Sequence, residues 1–279
     1  MKKLKLVIGL FLIALSLNQI TLAQDVKTID SVNIKNALAK EVKEKKAYEE
    51  WLKQDWPNLK QFRNENTKLG LPAVNENRVV FMGNSITIGW INTHPEFFNG
   101  RPYINRGISG QTTPQMLIRF RPDVINLKAK VVVILAGTND IAGNTGPSSI
   151  EMIEDNLASM ADLGKTNGIK VILCSILPAY DYPWKRGLKP YEKILIINAW
   201  LKEYAGKNGM IYLDLYSALV DSRPGMKLAY SKDGVHPNME GYNVMEPLVE
   251  KAITKALKVE PVKRDLKTGL RIRNSLSKM

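Results

Sequence analysis

A single cysteine, Cys174, stands in a chain of 279 residues, so no intramolecular disulfide can form and the fold must be held by its core. Its surroundings, Lys170-Val-Ile-Leu-Cys-Ser-Ile, describe a small buried apolar residue and not a nucleophile. Histidine is almost as scarce, with only two in the chain. Long apolar runs are also missing. The longest, Leu6 to Leu17, is ended by Asn18 and Gln19, well short of the about 20 residues that a membrane span needs. No internal repeat is visible, and no low-complexity linker divides Arg78 from Lys258. With 44% apolar residues, the chain is neither disordered nor fibrous in composition and can bury a sizeable core.

What is present is organised unevenly along the chain. Lys2, Lys3 and Lys5 precede the first apolar run, and Thr21-Leu22-Ala23 offers small residues for cleavage, so residues 1–23 are expected to be an export signal. The rival, a retained N-terminal anchor, is disfavoured by the length of the run. Acidic residues number 27 against 40 basic ones, a formal charge of +13. From Lys251 onward nine basic residues meet two acidic ones, and 259–279 is read as a solvated basic extension. No nucleic-acid-binding module accompanies that charge, so nucleic acid is not an expected partner.

Between the ends, residues 24–77 are expected to form a helical segment packing on the main domain. Trp51, Leu52, Trp56, Leu59 and Phe62 fall at near-helical intervals within Lys35 to Lys68, and Pro57 is expected to kink this helix or begin a new one. From Arg78 the pattern changes to short apolar runs, at Val79–Met82, Tyr103–Ile104, Val131–Ala136, Val171–Ile176 and Met210–Leu213. Amphipathic stretches near Thr113–Phe120, Ser148–Thr166, Tyr191–Lys207 and Met239–Leu257 separate them. Alternating β and α elements with fully apolar strands predict one α/β domain over 78–258, a three-layer α/β/α sandwich around a mainly parallel sheet. Its chemistry is expected at the carboxyl ends of the strands.

Four short pieces follow those strands. Phe81-Met-Gly-Asn-Ser-Ile-Thr puts Ser85 just past the first strand, where a hydroxyl can stand among helix N-terminal N–H groups. Thr87 stands where the Gly-x-Ser-x-Gly elbow needs its second glycine, so that elbow is excluded. Asp233-Gly-Val-His236 spaces a carboxylate to reach an imidazole, fix its tautomer and stabilise its protonated form. The other histidine, His94, sits in the polar loop Asn92-Thr-His-Pro-Glu and is read as a surface residue. Gly110, within Asn105-Arg-Gly-Ile-Ser-Gly-Gln-Thr-Thr, and Asn139, within Gly137-Thr-Asn-Asp, can add donors for a developing oxyanion beside the Ser85 N–H. Each piece alone also has a plain structural reading, as a cap or turn residue.

Together and in this order, Gly83-Asn-Ser85, Gly110, Gly137-Thr-Asn139-Asp and Asp233-Gly-Val-His236 resemble the four blocks of the SGNH (GDSL-like) hydrolases. The Asn105…Gly110-Gln-Thr-Thr pattern is most similar to the branch holding the platelet-activating-factor acetylhydrolase catalytic subunits and many exported carbohydrate esterases. The resemblance covers about Arg78 to Val249. It implies a flavodoxin-like fold, Ser85 as nucleophile, His236 as base and then acid, Asp233 as its orienting carboxylate, and an oxyanion hole from Ser85, Gly110 and Asn139. It implies no metal and no organic cofactor. The family's usual Asp before the serine is Asn84 here, which keeps the shape but removes a charge. Arg106, Gln111 and Thr112 are further candidates for lining the site. The expected substrate is a small O-acyl ester, acetyl on a glycan being favoured, and the expected location is periplasmic or secreted. The alternatives are a lysophospholipase or thioesterase on the same residues, or an inactive glycan-binding protein of this fold.

Overall fold

The computed structural model describes residues 33–50 and 53–258, so the expected export segment and basic extension lie outside the described residues. The chain divides into two compact units, Met1–Trp56 and Pro57–Met279. In the first, residues 33–50 form a helix, α1, with Ile34, Leu38 and Val42 exposed along one side. The second begins with turns through Pro57 and Asn58, the latter left-handed at φ 56°, before α2 (Arg63–Leu69). The helix expected across Lys35–Lys68 is therefore broken near Pro57, whose ring disfavours a helical residue before it and whose nitrogen has no hydrogen to donate.

Five strands, β1 (Val79–Gly83), β2 (Tyr103–Gly107), β3 (Val131–Leu135), β4 (Lys170–Cys174) and β5 (Ile211–Leu213), make one sheet in the order β2-β1-β3-β4-β5. Every pairing is parallel. Helices cover both faces, which is why the central strands read as unbroken apolar runs: all five residues of β1 and of β3 are buried.

The two-residue alternation of a strand divides the core into two layers. Val80, Met82, Val132, Ile134, Val171 and Leu173 share a cluster with Met116 and Phe120 of α4 (Thr113–Phe120), Ile153, Leu157 and Met160 of α6 (Ile150–Thr166), and Ile194, Ile197 and Leu201 of α7 (Tyr191–Lys207). Val79, Phe81, Val131, Val133 and Ile172 point the other way, toward α3 (Ser85–Thr93) and α9 (Met239–Lys258). There Trp90 stacks on Phe97 at 4.9 Å and on Tyr242 at 5.3 Å between ring centroids. Each fully buried aliphatic side chain contributes roughly 1.5–3 kcal/mol, so this double layer is the dominant stabilising feature. Cys174 lies within it, and burial raises its thiol far above the ordinary range, which excludes a thiolate.

The close approach that seats α3 on the sheet depends on glycine. A Cβ on Gly107 would lie 2.3 Å from the Ile88 nitrogen and 2.8 Å from the Asn84 carbonyl oxygen, so only glycine lets the end of β2 pass against the first turn of α3. That turn carries Ser85.

Candidate functional site

Ser85 is the first residue of α3, directly beyond β1, and Asn84 caps the helix by accepting a hydrogen bond from the Ile86 N–H at 3.1 Å. The amide oxygen of Asn84 thus performs the acceptor role that a carboxylate would have at this position. Among the described residues the Ser85 N–H has no acceptor, as expected for a helix N-terminus aimed at open space.

The Asp233–His236 turn meets this helix from the other end of the chain. Ser85 Oγ lies 2.9 Å from His236 Nε2, and His236 Nδ1 lies 2.7 Å from Asp233 Oδ2. The second carboxylate oxygen accepts from the backbone N–H groups of Val235 and His236, at 2.9 and 2.8 Å, and from Ser231 Oγ at 3.1 Å. Partial burial pushes the Asp233 carboxyl up, but the His236 ring and those two backbone donors more than offset it and hold the group at about 2. Asp233 is therefore charged at any pH near neutrality and orients the imidazole with its Nδ1 as donor.

A pocket of about 200 Å³ opens above Ser85, lined by Ser109, Gly110, Asn139, Asn144, Trp184 and His236. Gly110 has φ +77°, and among the described residues its N–H has no acceptor. Asn139 lies in α5 (Thr138–Ala142), after the left-handed Gly137, and its amide nitrogen donates to the Gln111 carbonyl at 2.9 Å. Its second amide hydrogen is not needed for that bond. A wider hollow of about 620 Å³, lined by Thr93, Lys232, Pro237 and Met239 among others, adjoins Asp233 and His236.

Ser85, Asp233, His236, Gly110 and Asn139 are thus brought together, whereas the other candidates serve elsewhere. Arg106 turns to α2, where Nε and Nη2 donate to Asn66 Oδ1 at 3.0 and 2.7 Å and its guanidinium covers Phe62 at 4.6 Å. Gln111 and Thr112 are buried behind the loop: Gln111 donates to the Pro57 carbonyl at 2.8 Å, and Thr112 bonds Thr145 at 2.8 Å. His94 sits at the far end of α3 beside Glu246, 2.8 Å away, and is only 16% exposed in its side chain, so it is not the surface residue that its loop composition suggested. Among the described residues no group of acidic, histidine or cysteine side chains is arranged to hold a metal ion.

Three supporting residues had no signal in the motif blocks. Arg119, fully buried, bonds the Gly83 carbonyl at 3.0 Å, Gln111 Oε1 at 2.5 Å and Asp123 Oδ2 at 3.0 Å, joining the turn before Ser85 to the Gly110 loop. Trp184, in the segment between β4 and α7, forms one wall of the pocket, and Asn144 another. Arg119 follows the helical spacing of a core-facing position, which a charged residue does not advertise as a site.

Asp140, next to Asn139, is almost wholly buried and accepts the Thr113 N–H and hydroxyl on Oδ1 at 2.9 and 2.5 Å, while Oδ2 has no partner. Burial outweighs the Thr113 bonds and raises its carboxyl to about 6. Because the folded value is above the unfolded one, Asp140 favours folding fully below about pH 4, and the benefit is lost as pH rises through about 6. Relative to Asp140→Asn, the wild type should lose about 2 kcal/mol of stability between pH 4 and pH 7. Urea titrations at the two pH values measure this; an Asn variant with the same pH profile as wild type would show that the Asp140 carboxyl titrates in the fold as it does in the unfolded chain.

The family model described as GDSL-like Lipase/Acylhydrolase matches residues 81–244. The crystal structure of a GDSL-like lipase from Bacteroides thetaiotaomicron VPI-5482 is 50% identical, covers 72% of this chain and all of its own, and superposes with a TM-score of 0.71. A candidate acylhydrolase from Bacteroides fragilis NCTC 9343 is 51% identical over 73% of this chain and 99% of its own, with a TM-score of 0.72. Among curated proteins, an acetylxylan esterase of Xylanibacter ruminicola is 27% identical over 239 residues, 73% of this chain and 48% of that esterase. The chain spans about half the length of the curated relatives it matches.

Proposed function

We propose that this chain, which belongs to the GDSL-like lipase/acylhydrolase family, is an exported serine esterase that removes small acyl groups, acetyl above all, from a carbohydrate. The observation that carries the reading is the unbroken relay from Ser85 Oγ through His236 to Asp233, with contacts of 2.9 and 2.7 Å. A serine hydroxyl is a poor nucleophile until a positioned base takes its proton. In the proposed reaction Nε2 of His236 accepts that proton as Oγ bonds to the acyl carbon. The charge that develops on the carbonyl oxygen is met by the N–H groups of Ser85 and Gly110 and the side-chain amide of Asn139. Collapse of the tetrahedral intermediate breaks the bond to the alcohol oxygen, which leaves with the proton from His236. Water, deprotonated by the same nitrogen, then releases the acid and restores Ser85. Every proton is carried by the chain's own groups, in keeping with a reaction that needs no cofactor.

Short acyl groups are favoured because the pocket at Ser85 is small, about 200 Å³, and closed in by Ser109, Asn139 and Asn144. The wider hollow beside Asp233 and His236 offers room for the parts of a glycan that extend beyond the esterified sugar ring. The kinship to an acetylxylan esterase supports the same substrate class. Export rests on residues 1–23, and among the described residues no helix is long and apolar enough to cross a membrane.

A p-nitrophenyl ester series tests the acyl preference, run beside an assay of acetate release from acetylated polysaccharides. Acetyl esters should exceed octanoyl esters in kcat/KM by about tenfold or more, since a chain that cannot be housed forfeits its apolar burial. The reverse order, without acetate release, would replace this reading by a lipid-ester or thioester hydrolase.

A further inference from the structure

Trp184 is the largest side chain of the pocket and takes no part in the proton relay. It is 46% exposed and yet firmly seated. Its ring stacks on Tyr182, 5.0 Å away and within 11° of parallel, and Tyr182 is completely buried. The next residue, Lys185, donates to the Ala142 carbonyl at 2.6 Å, which ties this segment to the end of the helix carrying Asn139. A large indole left exposed at the mouth of a pocket, with a buried ring behind it, is a built surface and not a stray apolar residue.

Its position relative to His236 decides which half of an ester it meets. The two ring centroids are 5.9 Å apart, with the planes inclined by 38°. In the proposed acyl transfer, the carbonyl oxygen turns toward Gly110 and Asn139, while the leaving oxygen must lie against His236 Nε2 to receive its proton. A plane beside His236 therefore contacts the alcohol half. We infer that Trp184 is a specificity-determining residue for that half, a stacking platform for the flat C–H face of the sugar ring that bears the acyl group. The inference rests on the esterase reading above and adds the residue that selects a cyclic, sugar-like alcohol. An indole face carries negative charge density, which polarised C–H groups of a pyranose complement over a wide area. An acyclic alcohol covers little of it.

The test compares an acetylated methyl xyloside with ethyl acetate for the wild type, Trp184→Ala and Trp184→Phe. Fluorophosphonate labelling of Ser85 in each verifies a competent site. The ratio of kcat/KM for the sugar ester to that for ethyl acetate should fall about tenfold in Trp184→Ala, chiefly through KM, and Trp184→Phe should recover most of it. An equal loss on both esters would overturn the inference, because Trp184 would then only support His236. An unchanged ratio would overturn it too. If the wild type were labelled by the probe and hydrolysed ethyl acetate, either failure would leave the esterase reading standing. Hydrolysis of neither ester, with no labelling, would remove both.

Discussion

Ser85→Ala and His236→Ala should each lower kcat on the best ester by roughly three orders of magnitude or more, and the double variant should be little worse than either. The non-additivity follows from the 2.9 Å contact: without His236 the Ser85 hydroxyl keeps its proton, and without Ser85 the imidazole has no proton to take. What remains in each variant is binding and oxyanion stabilisation. A fluorophosphonate should label the wild type at Ser85 and His236→Ala only weakly. Both positions are at the surface end of the sheet, outside the two apolar layers, so unfolding should not confuse the result. Near-wild-type turnover by Ser85→Ala, with contaminating esterase excluded, would end the proposed mechanism and leave the pocket as a binding site.

The second large effect is expected at Asn139. Asn139→Ala should cost about a hundredfold in kcat with less change in KM, since one donor to a developing oxyanion is worth about 10²–10³ in rate. The loss has two sources. One is the donor itself. The other is the Gln111 carbonyl, which receives the Asn139 amide at 2.9 Å and helps hold the Gly110 loop where its N–H faces the pocket. Asn139→Asp removes both as alanine does, because a carboxylate can neither donate to an oxyanion nor satisfy that carbonyl, and it adds an opposing charge. It should be slower than Asn139→Ala. A loss of under about fivefold in the alanine variant would show that the backbone donors suffice.

Most of the architecture was legible because strands in a doubly covered sheet have to be continuously apolar, and the runs Val131–Ala136 and Val171–Ile176 overlap the strands Val131–Leu135 and Lys170–Cys174. The helices Thr113–Phe120 and Tyr191–Lys207 fall on the stretches expected from periodicity alone. The short elements were not legible. The four residues Tyr216–Leu219 of α8 and the π-helical turn Arg121–Ile125 after α4 are too brief to show a period.

The sequence by itself determined which residue types are available for chemistry. With two histidines in the chain, and one of them three residues after an aspartate, a serine relay has few possible members. Spacing along the chain also settled the local geometry of Asp233 and His236, since a carboxylate and an imidazole in one turn reach each other without help from the rest of the fold. What only the tertiary structure decided is contact across distance. Ser85 and His236 are 151 positions apart, and their meeting depends on the parallel sheet delivering both strand-end loops to one edge. The same holds for Arg106, which motif proximity placed near the site and the β2 pleat directs to α2, and for Trp184, which no motif marked and which reaches the pocket through its stack on Tyr182. Side-chain direction in a strand or loop is set by packing partners distant in sequence, and that information is not written in any single segment.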